Sequence, residues 1–282
     1  MASQSQYKAV AGPMYNVRIF FIMSIILLVL MAEFVVARIP SKGSLRVYEG
    51  EHDVESEFGF TVSLQYTKNK LRFCTGSLLD NNWVITTGHC VENRTPYDMT
   101  IRYGDFTLLE TDKVAKVFRI IIHPNYSHIH GFNDIAMLMT ERIPGKPSVS
   151  ILALDYKTLF GLPVTFAGFG RTSLELRPKT HDQLLEEQQI PLQVGKGVVI
   201  PCQSYESFKY SALCVAPRCR SRQQARSGDA GGPLLYKGRI IGIQRSILTK
   251  HNLSITKYIP LSIYVAWIRN IMKTVASPSK TY

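Results

Sequence analysis

The chain has 282 residues, of which 45% are hydrophobic and 19% charged. That is ordinary globular composition, ample for a sizeable core and one or two domains, with no repeats or low-complexity stretches. The formal net charge is +12, which favours acidic partners (anionic glycans, acidic proteins, a membrane surface, nucleic acid) or simply keeps the surface soluble. None of the five cysteines forms a C-x-x-C pair, which sets aside the tightest metal-site spacing.

The first segment reads as an address. Lys8 and Arg18 precede an apolar run from Ile19 to Ala32, then Glu33 and Phe34-Val35-Val36-Ala37. A basic region, an apolar core and a Val-x-Ala ending predict a secretory signal over 1–37, cleaved after Ala37. The alternative is an uncleaved anchor: the stretch Ile19 to Ala37 would just span a bilayer, but Glu33 would be costly inside it. Either route exports the rest: a short pro-segment 38–46, a main domain 47–275 and a tail 276–282. Removing the five basic residues and one acid through Arg46 leaves the chain from Val47 at +8. Sequons at Asn93, Asn125 and Asn252 fit export.

Short strands follow in sequence. Phe60 to Gln65 alternates as a half-buried strand does. Leu78-Leu79 and Trp83 to Thr87 flank a turn signal, Asp80-Asn81-Asn82. Further strands are predicted at Met99–Tyr103, Val117–Ile122, Ile135–Met139, Pro163–Ala167, Ile190–Val194, Ala212–Val215 and Arg239–Gln244. Many short strands separated by Gly, Pro, Asn and Asp argue an all-β barrel or sandwich. At the end, Tyr264, Trp267, Ile268, Ile271 and Met272 fall at helical spacing after Ser262, a good N-cap.

Three motifs carry chemistry. Cys74-Thr75-Gly76-Ser77-Leu78 is followed by Trp83-Val84-Ile85-Thr86-Thr87-Gly88-His89-Cys90, then by Asn133-Asp134-Ile135-Ala136-Met137-Leu138, then by Gly228-Asp229-Ala230-Gly231-Gly232-Pro233-Leu234. In that order they resemble the chymotrypsin/trypsin family of serine proteases, from Val47 to about Met272. The resemblance implies an all-β fold of two six-stranded antiparallel β-barrels with a C-terminal α-helix and an active-site cleft between the barrels. It puts His89 at the general-base position and Asp134 where a carboxylate orients that imidazole. It puts Ala230 where the nucleophilic serine belongs. A methyl group has no lone pair to attack a carbonyl and no proton to give His89, so acyl-enzyme chemistry has no route through this position. Ser227, three residues away, is no substitute.

The rest of the implied cleft also departs from the pattern. The base of the specificity pocket is Gln224, so the carboxylate of a trypsin-like pocket is absent. Arg245, Ser246 and Ile247 stand on the strand that would pair with substrate, and Thr256 stands at a pocket wall where Gly is common. Arg226 takes a cysteine position, so the pocket's bracing disulfide is missing. Some machinery remains: the N–H groups of Gly228 and Ala230 suit an oxyanion hole, which needs no side chain. Asp229 matches the acid that pairs with a new amino terminus after cleavage, here at Arg46–Val47, although Tyr48 and Glu49 are unlike the small residues usual there.

The resemblance also implies disulfides Cys74–Cys90 and Cys202–Cys214, leaving Cys219 over. Arg218, Arg220, Arg222 and Arg226, with Arg245 joining them, read either as a docking patch for a carboxylate- or sulfate-rich partner or as a solvated loop. The stretch lacks the interleaved aromatics of a nucleic-acid platform. His123, His128 and His130 are close in sequence, but no cysteine lies near, and neither a metal nor another cofactor is expected. The leading expectation is an exported, non-catalytic protease homologue that binds active proteases or inhibitors. The alternatives are an enzyme disabled by one substitution and an anionic-glycan-binding module.

Overall fold

The computed structural model describes residues 50–53, 57–104, 113–170, 180, 183, 189–202, 211–219, 221, 223–250 and 253–275. The leader, Arg46, Val47, Arg220, Arg222, Asn252 and the tail 276–282 lie outside the described residues.

The first barrel is built from β2 (Thr61–Tyr66), β3 (Arg72–Asp80), β4 (Trp83–Thr86), β5 (Met99–Arg102), β6 (Val114–Ile122) and β7 (Ala136–Thr140). The strands close in the order β2-β3-β4-β7-β6-β5, every pair antiparallel. Period-two patterning sends Val62, Leu64, Leu78, Val84, Ile101 and Leu138 into a fully buried interior. Each such side chain contributes about 1.5–3 kcal/mol relative to exposure.

The second barrel closes through β8 (Pro163–Gly168), β9 (Gln193–Ile200), β10 (Leu213–Pro217), β13 (Leu253–Pro260), β12 (Arg239–Lys250) and β11 (Pro233–Tyr236), with β11 and β9 both pairing β8. The two-residue β1 (Glu51–His52) joins the start of β9. Val164, Phe166, Val199, Leu213, Val215, Leu234 and Ile241 fill this interior. The fold is therefore two closed six-stranded antiparallel barrels and one C-terminal helix, as the resemblance implied.

Two local expectations are corrected. The strand expected at Ile190–Val194 instead runs Gln193–Ile200. Gly195 and Gly197 read as breakers, but Gly197 is a packing site: a Cβ there would collide with Val215 Cγ1. Ser262 does not cap the last helix. Pro260 precedes a single 3-10 turn, Leu261–Tyr264, which runs into α2 (Val265–Val275), and the Ser262 Oγ has no hydrogen-bond partner among the described residues. Strand β13, adjoining that turn, has no counterpart in the sequence expectations.

The terminal helix reaches back to the first barrel. His123 packs edge-on to Tyr264 and against Trp267, and Tyr264 Oη donates to Asn133 Oδ1 at 3.0 Å. Asn133 holds a left-handed conformation (φ +49°) and is the residue before Asp134. The 3-10 turn leading into the C-terminal helix thus braces the turn that presents the carboxylate.

Candidate active-site cleft

His89 is carried by the one-turn helix α1 (Gly88–Val91), directly after β4. Gly88 lets the turn sit close: a Cβ there would lie 3.2 Å from the Tyr126 ring and 3.3 Å from Asp134 Oδ1. Asp134, at the entry to β7, grips His89 twice. Its Oδ1 accepts the His89 backbone N–H at 2.8 Å and its Oδ2 accepts Nδ1 at 2.8 Å. An ionised carboxylate only accepts, so Nδ1 carries the proton and the lone pair of the neutral ring lies on Nε2. The Asp134 side chain is 5% exposed and that of His89 35%, which leaves the imidazole open to the cleft. Burial works to raise the Asp134 carboxyl. The hydrogen bonds and charge from His89 and the charge of Arg245 outweigh it and hold the group below the ordinary carboxylate value.

Arg245, expected in the cleft and beside the arginines before the last motif, lines the cavity with Arg226. What the sequence did not show is its partner: its Nε lies 3.5 Å from Asp134 Oδ2, with the side chain 18% exposed. A bulge aims it there. Gln244 pairs with Tyr258 and Ser246 with Lys257, so Arg245 is the extra residue on β12. The guanidinium comes so close to Gly131 that any Cβ there would collide with it. Of the other arginines, Arg218 is exposed and Arg226 is half-buried in the cleft wall.

Ala230 sits on the loop between Gly228 (φ +98°) and Gly231 (φ +83°), values that favour glycine. Thr75 on β3 fixes this loop. Its N–H donates to Ala230 O at 2.8 Å and its Oγ1 to Gly228 O at 2.9 Å. Two further bonds at 2.8 Å, Gly231 N–H to Gln244 O and Gln244 N–H to Gly232 O, tie the loop to β12. Thr75 was quoted in the first motif, yet nothing in the sequence distinguished its hydroxyl from that of any strand threonine. The N–H groups of Gly228 and Ala230 donate to no described residue. Asp229 is 1% exposed; its Oδ1 accepts the Gly170 N–H and its Oδ2 the Arg226 N–H, both at 2.6 Å.

His89, Arg226, Ser227, Gly228, Ala230, Gln244, Arg245, Ser246 and Ile247 share a cavity of about 340 Å³ with Phe73, Cys74, Cys90 and Arg94. Gln224 and Thr256 do not line it; Gln224 is half-buried and Thr256 is buried against β10 and β12. Ser227 is exposed. A second cavity of about 240 Å³ lies on the other side of the imidazole, between His89, Asp134, Arg245 and the Tyr126–Gly131 turn. There His128 Nδ1 lies 2.7 Å from Glu92 Oε2, and Tyr126 Oη donates to the same oxygen at 3.1 Å. Burial, then the Asp134 charge, pushes the Tyr126 hydroxyl far up, so it remains a donor at all ordinary pH.

The expected disulfides Cys74–Cys90 and Cys202–Cys214 are both formed, and Cys219 is free and exposed. Cys74, His89 and Cys90 bring ligand-type atoms within 4.8 Å of one another, but both sulfurs are spent in the disulfide and offer no thiolate. The histidines near residue 125 point to separate partners: His123 to the aromatic ring pair, His128 to Glu92, His130 to Ser127 Oγ at 3.1 Å. Asn93 and Asn125 are exposed. Among the described residues no helix is long and apolar enough to cross a membrane.

Comparison with known proteins agrees with this geometry. The Trypsin family model matches residues 47–268. The chain is 26% identical over 263 residues to CLIP domain-containing serine protease B9 of Anopheles gambiae, covering 81% of this chain and 64% of that protein, so it spans under two thirds of that relative. It is 26% identical over 227 residues to trypsin of Pleuronectes platessa, covering 78% and 86% of the two chains. It is 26% identical over 249 residues to human chymotrypsin-like elastase family member 1, covering 80% and 92%. The match over most of the length, the double barrel and the His89–Asp134 pair beside the Gly228–Gly232 loop mean that this chain belongs to the trypsin family.

Proposed function

We propose that this chain is an exported trypsin-family protein that holds polypeptide in its cleft without cutting it. One observation carries the reading: the motif position where the family has its serine holds Ala230, which lines the same cavity as His89. The base itself stands ready, with Nδ1 anchored on Asp134 and Nε2 toward the cleft. Ala230 supplies no hydroxyl for it to activate. Losing a triad member leaves on the order of 10³–10⁴-fold over water, from the oxyanion hole and binding alone. That is too little for useful proteolysis. Partners in this reading are extracellular proteases or their inhibitors.

Export is part of the proposal. It rests on the leader over 1–37 and on two disulfides, which persist in oxidising compartments. Cleavage at Arg46–Val47 would then act through Asp229 to order the cleft loops. Sugars at Asn93, Asn125 and Asn252 fit the same compartment.

A fluorophosphonate probe and mixed peptide substrates, applied to the purified chain, test the reading. No labelling and no turnover are expected. A covalent adduct or sustained hydrolysis that survives purification would remove it. The alternative of a single disabling substitution is favoured by the intact His89–Asp134 pair and is separated by Ala230→Ser: robust activity from that change alone would support it. An anionic-glycan module, drawing on Arg218, Arg220, Arg222 and Arg226, would need salt-sensitive retention on a sulfated-glycan column.

A further inference from the structure

Two of the three sequons, far apart in the chain, are brought to one rim by the fold. Glu92 Oε2 lies 2.7 Å from His128 Nδ1 and accepts the Tyr126 hydroxyl at 3.1 Å. Asn93 directly follows Glu92, and Asn125 directly precedes Tyr126. Each asparagine is therefore one Cα step, about 3.8 Å, from a residue of this contact. Tyr126 and His128 line the cavity of about 240 Å³ beside the His89 imidazole, together with Asp134 and Arg245.

Both asparagines are exposed, and neither side-chain amide enters a hydrogen bond among the described residues. The local structure uses Asn125 through its main chain: its N–H donates to His123 Nδ1 at 3.2 Å and its carbonyl accepts Asn133 Nδ2 at 2.9 Å. Asn93 stands at φ +57°, which asparagine tolerates, in the turn after α1. Bare apolar surface marks the same two turns. Tyr97 and Ile129 are the two most exposed large apolar residues described. Tyr97 comes four positions after Asn93, and Ile129 four after Asn125. A bulky hydrophilic group on each asparagine would cover them.

Resting on the reading of the chain as exported, we propose that Asn93 and Asn125 both carry N-linked oligosaccharides, which stand together as one screen beside the second cavity. In each transfer the C1–O bond of the sugar to a lipid pyrophosphate carrier breaks and a C1–Nδ2 bond forms. The pyrophosphate leaves with the electron pair, and the amide loses one proton. The screen admits small molecules to this cavity and keeps protein-sized partners off the Tyr126–Gly131 turn. A protease or inhibitor that binds this chain must then make its contacts elsewhere on the surface.

The test uses the full chain with its leader, expressed in cells that carry out N-glycosylation. Exported protein treated with peptide-N-glycosidase in ¹⁸O-water should show isotope-labelled aspartate at both positions by peptide mapping. Ile129→Cys in a Cys219→Ala background then reads the screen. The thiol at position 129 should take N-ethylmaleimide at the same rate before and after the sugars are removed from the folded chain. A polyethylene-glycol maleimide should react several-fold faster after removal, because only the large reagent meets the bulk of the sugars. Asn93→Gly, which keeps the left-handed turn, and Asn125→Gln should each give part of that gain. Either asparagine unmodified in the exported chain, or no gain for the large reagent, would overturn the screen and leave export intact. Retention of the chain in the cytosol would instead remove the export reading on which the screen rests.

Discussion

Arg245 Nε stands 3.5 Å from the Asp134 oxygen that also accepts His89 Nδ1 at 2.8 Å. One carboxylate oxygen therefore serves two partners, the neutral His89 imidazole and the Arg245 guanidinium. In a working base the carboxylate stabilises the imidazolium that forms as the nucleophile loses its proton. Here a permanent positive charge already occupies that carboxylate and would repel the new one. At about 6 Å, near the sum of the two contacts, and an effective dielectric of about 20 the repulsion is about 3 kcal/mol, before relaxation and screening reduce it. Restoring the hydroxyl alone should thus restore little. Ala230→Ser is expected to remain at least about 100-fold below Ala230→Ser combined with Arg245→Ser in kcat/KM, each tenfold being about 1.36 kcal/mol. Single-turnover hydrolysis of an activated ester by both variants measures this. Equal rates would show that Arg245 does not hold the base in check.

Gly131 and Arg245 form a matched pair. Gly131 has φ +66°, and a Cβ there would meet the Arg245 guanidinium. Gly131→Ala should destabilise by about 1–2 kcal/mol from the left-handed backbone alone, plus the displacement of Arg245 from Asp134. In the Arg245→Ser background the displacement cost vanishes and only the backbone part remains. A double-mutant cycle by urea unfolding reads the difference as a coupling of at least about 0.5 kcal/mol. Additive effects would mean that the glycine serves only the turn.

The fold was legible because its signals are local and repeated. Alternation at Val62 and Leu64, the turn at Asp80-Asn82 and the apolar face at Ile268 each show their own periodicity. The motif residues His89, Asp134 and Ala230 could be read for the same reason: each sits in a short run whose neighbours identify it. The contact of Arg245 with Asp134 was not legible because a bulge has no periodicity of its own. Its direction follows from one extra residue between Gln244 and Ser246, and that register is visible only when β13 is alongside. Thr75 and Gly131 were missed likewise, since both act on residues over one hundred positions away, Gly228 and Arg245. Gln224 and Thr256 were matched to their strands by pattern. How deep the cavity reaches depends instead on packing between strands, and it stops short of both.

The two disulfides should differ in what their loss does. Cys202–Cys214 closes a 12-residue separation at the edge of the second barrel, where Cys214 pairs with Ile200 and Lys257 along β10. Cys74–Cys90 closes 16 residues and sits next to His89. Each loss should cost about 2–4 kcal/mol of stability. Only the Cys74→Ala/Cys90→Ala pair should also disturb the base. Its His89 imidazole ¹H–¹⁵N signals are expected to shift, whereas those of Cys202→Ala/Cys214→Ala stay in place. Identical spectra from the two variants would show that the nearer disulfide does not position the histidine.

Asp134 gives the sign of the acid response. Its folded-state carboxyl lies below the ordinary value of 3.8 because the contacts from His89 and Arg245 outweigh burial. A depressed carboxyl stabilises the fold fully above its unfolded value. That contribution fades as pH falls from about 4 through the lower folded value. Asp134→Asn should therefore lose roughly 2 kcal/mol or more at pH 7, because the Arg245 charge and the His89 donors are left with a neutral amide. Once the pH falls below the lowered folded value the unmodified chain carries a protonated Asp134 as well, and the two proteins should converge. Thermal unfolding at steps between pH 7 and pH 2.5 follows the gap. A constant difference across that range would mean that the Asp134 charge contributes nothing to stability and that the carboxylate acts through its shape alone.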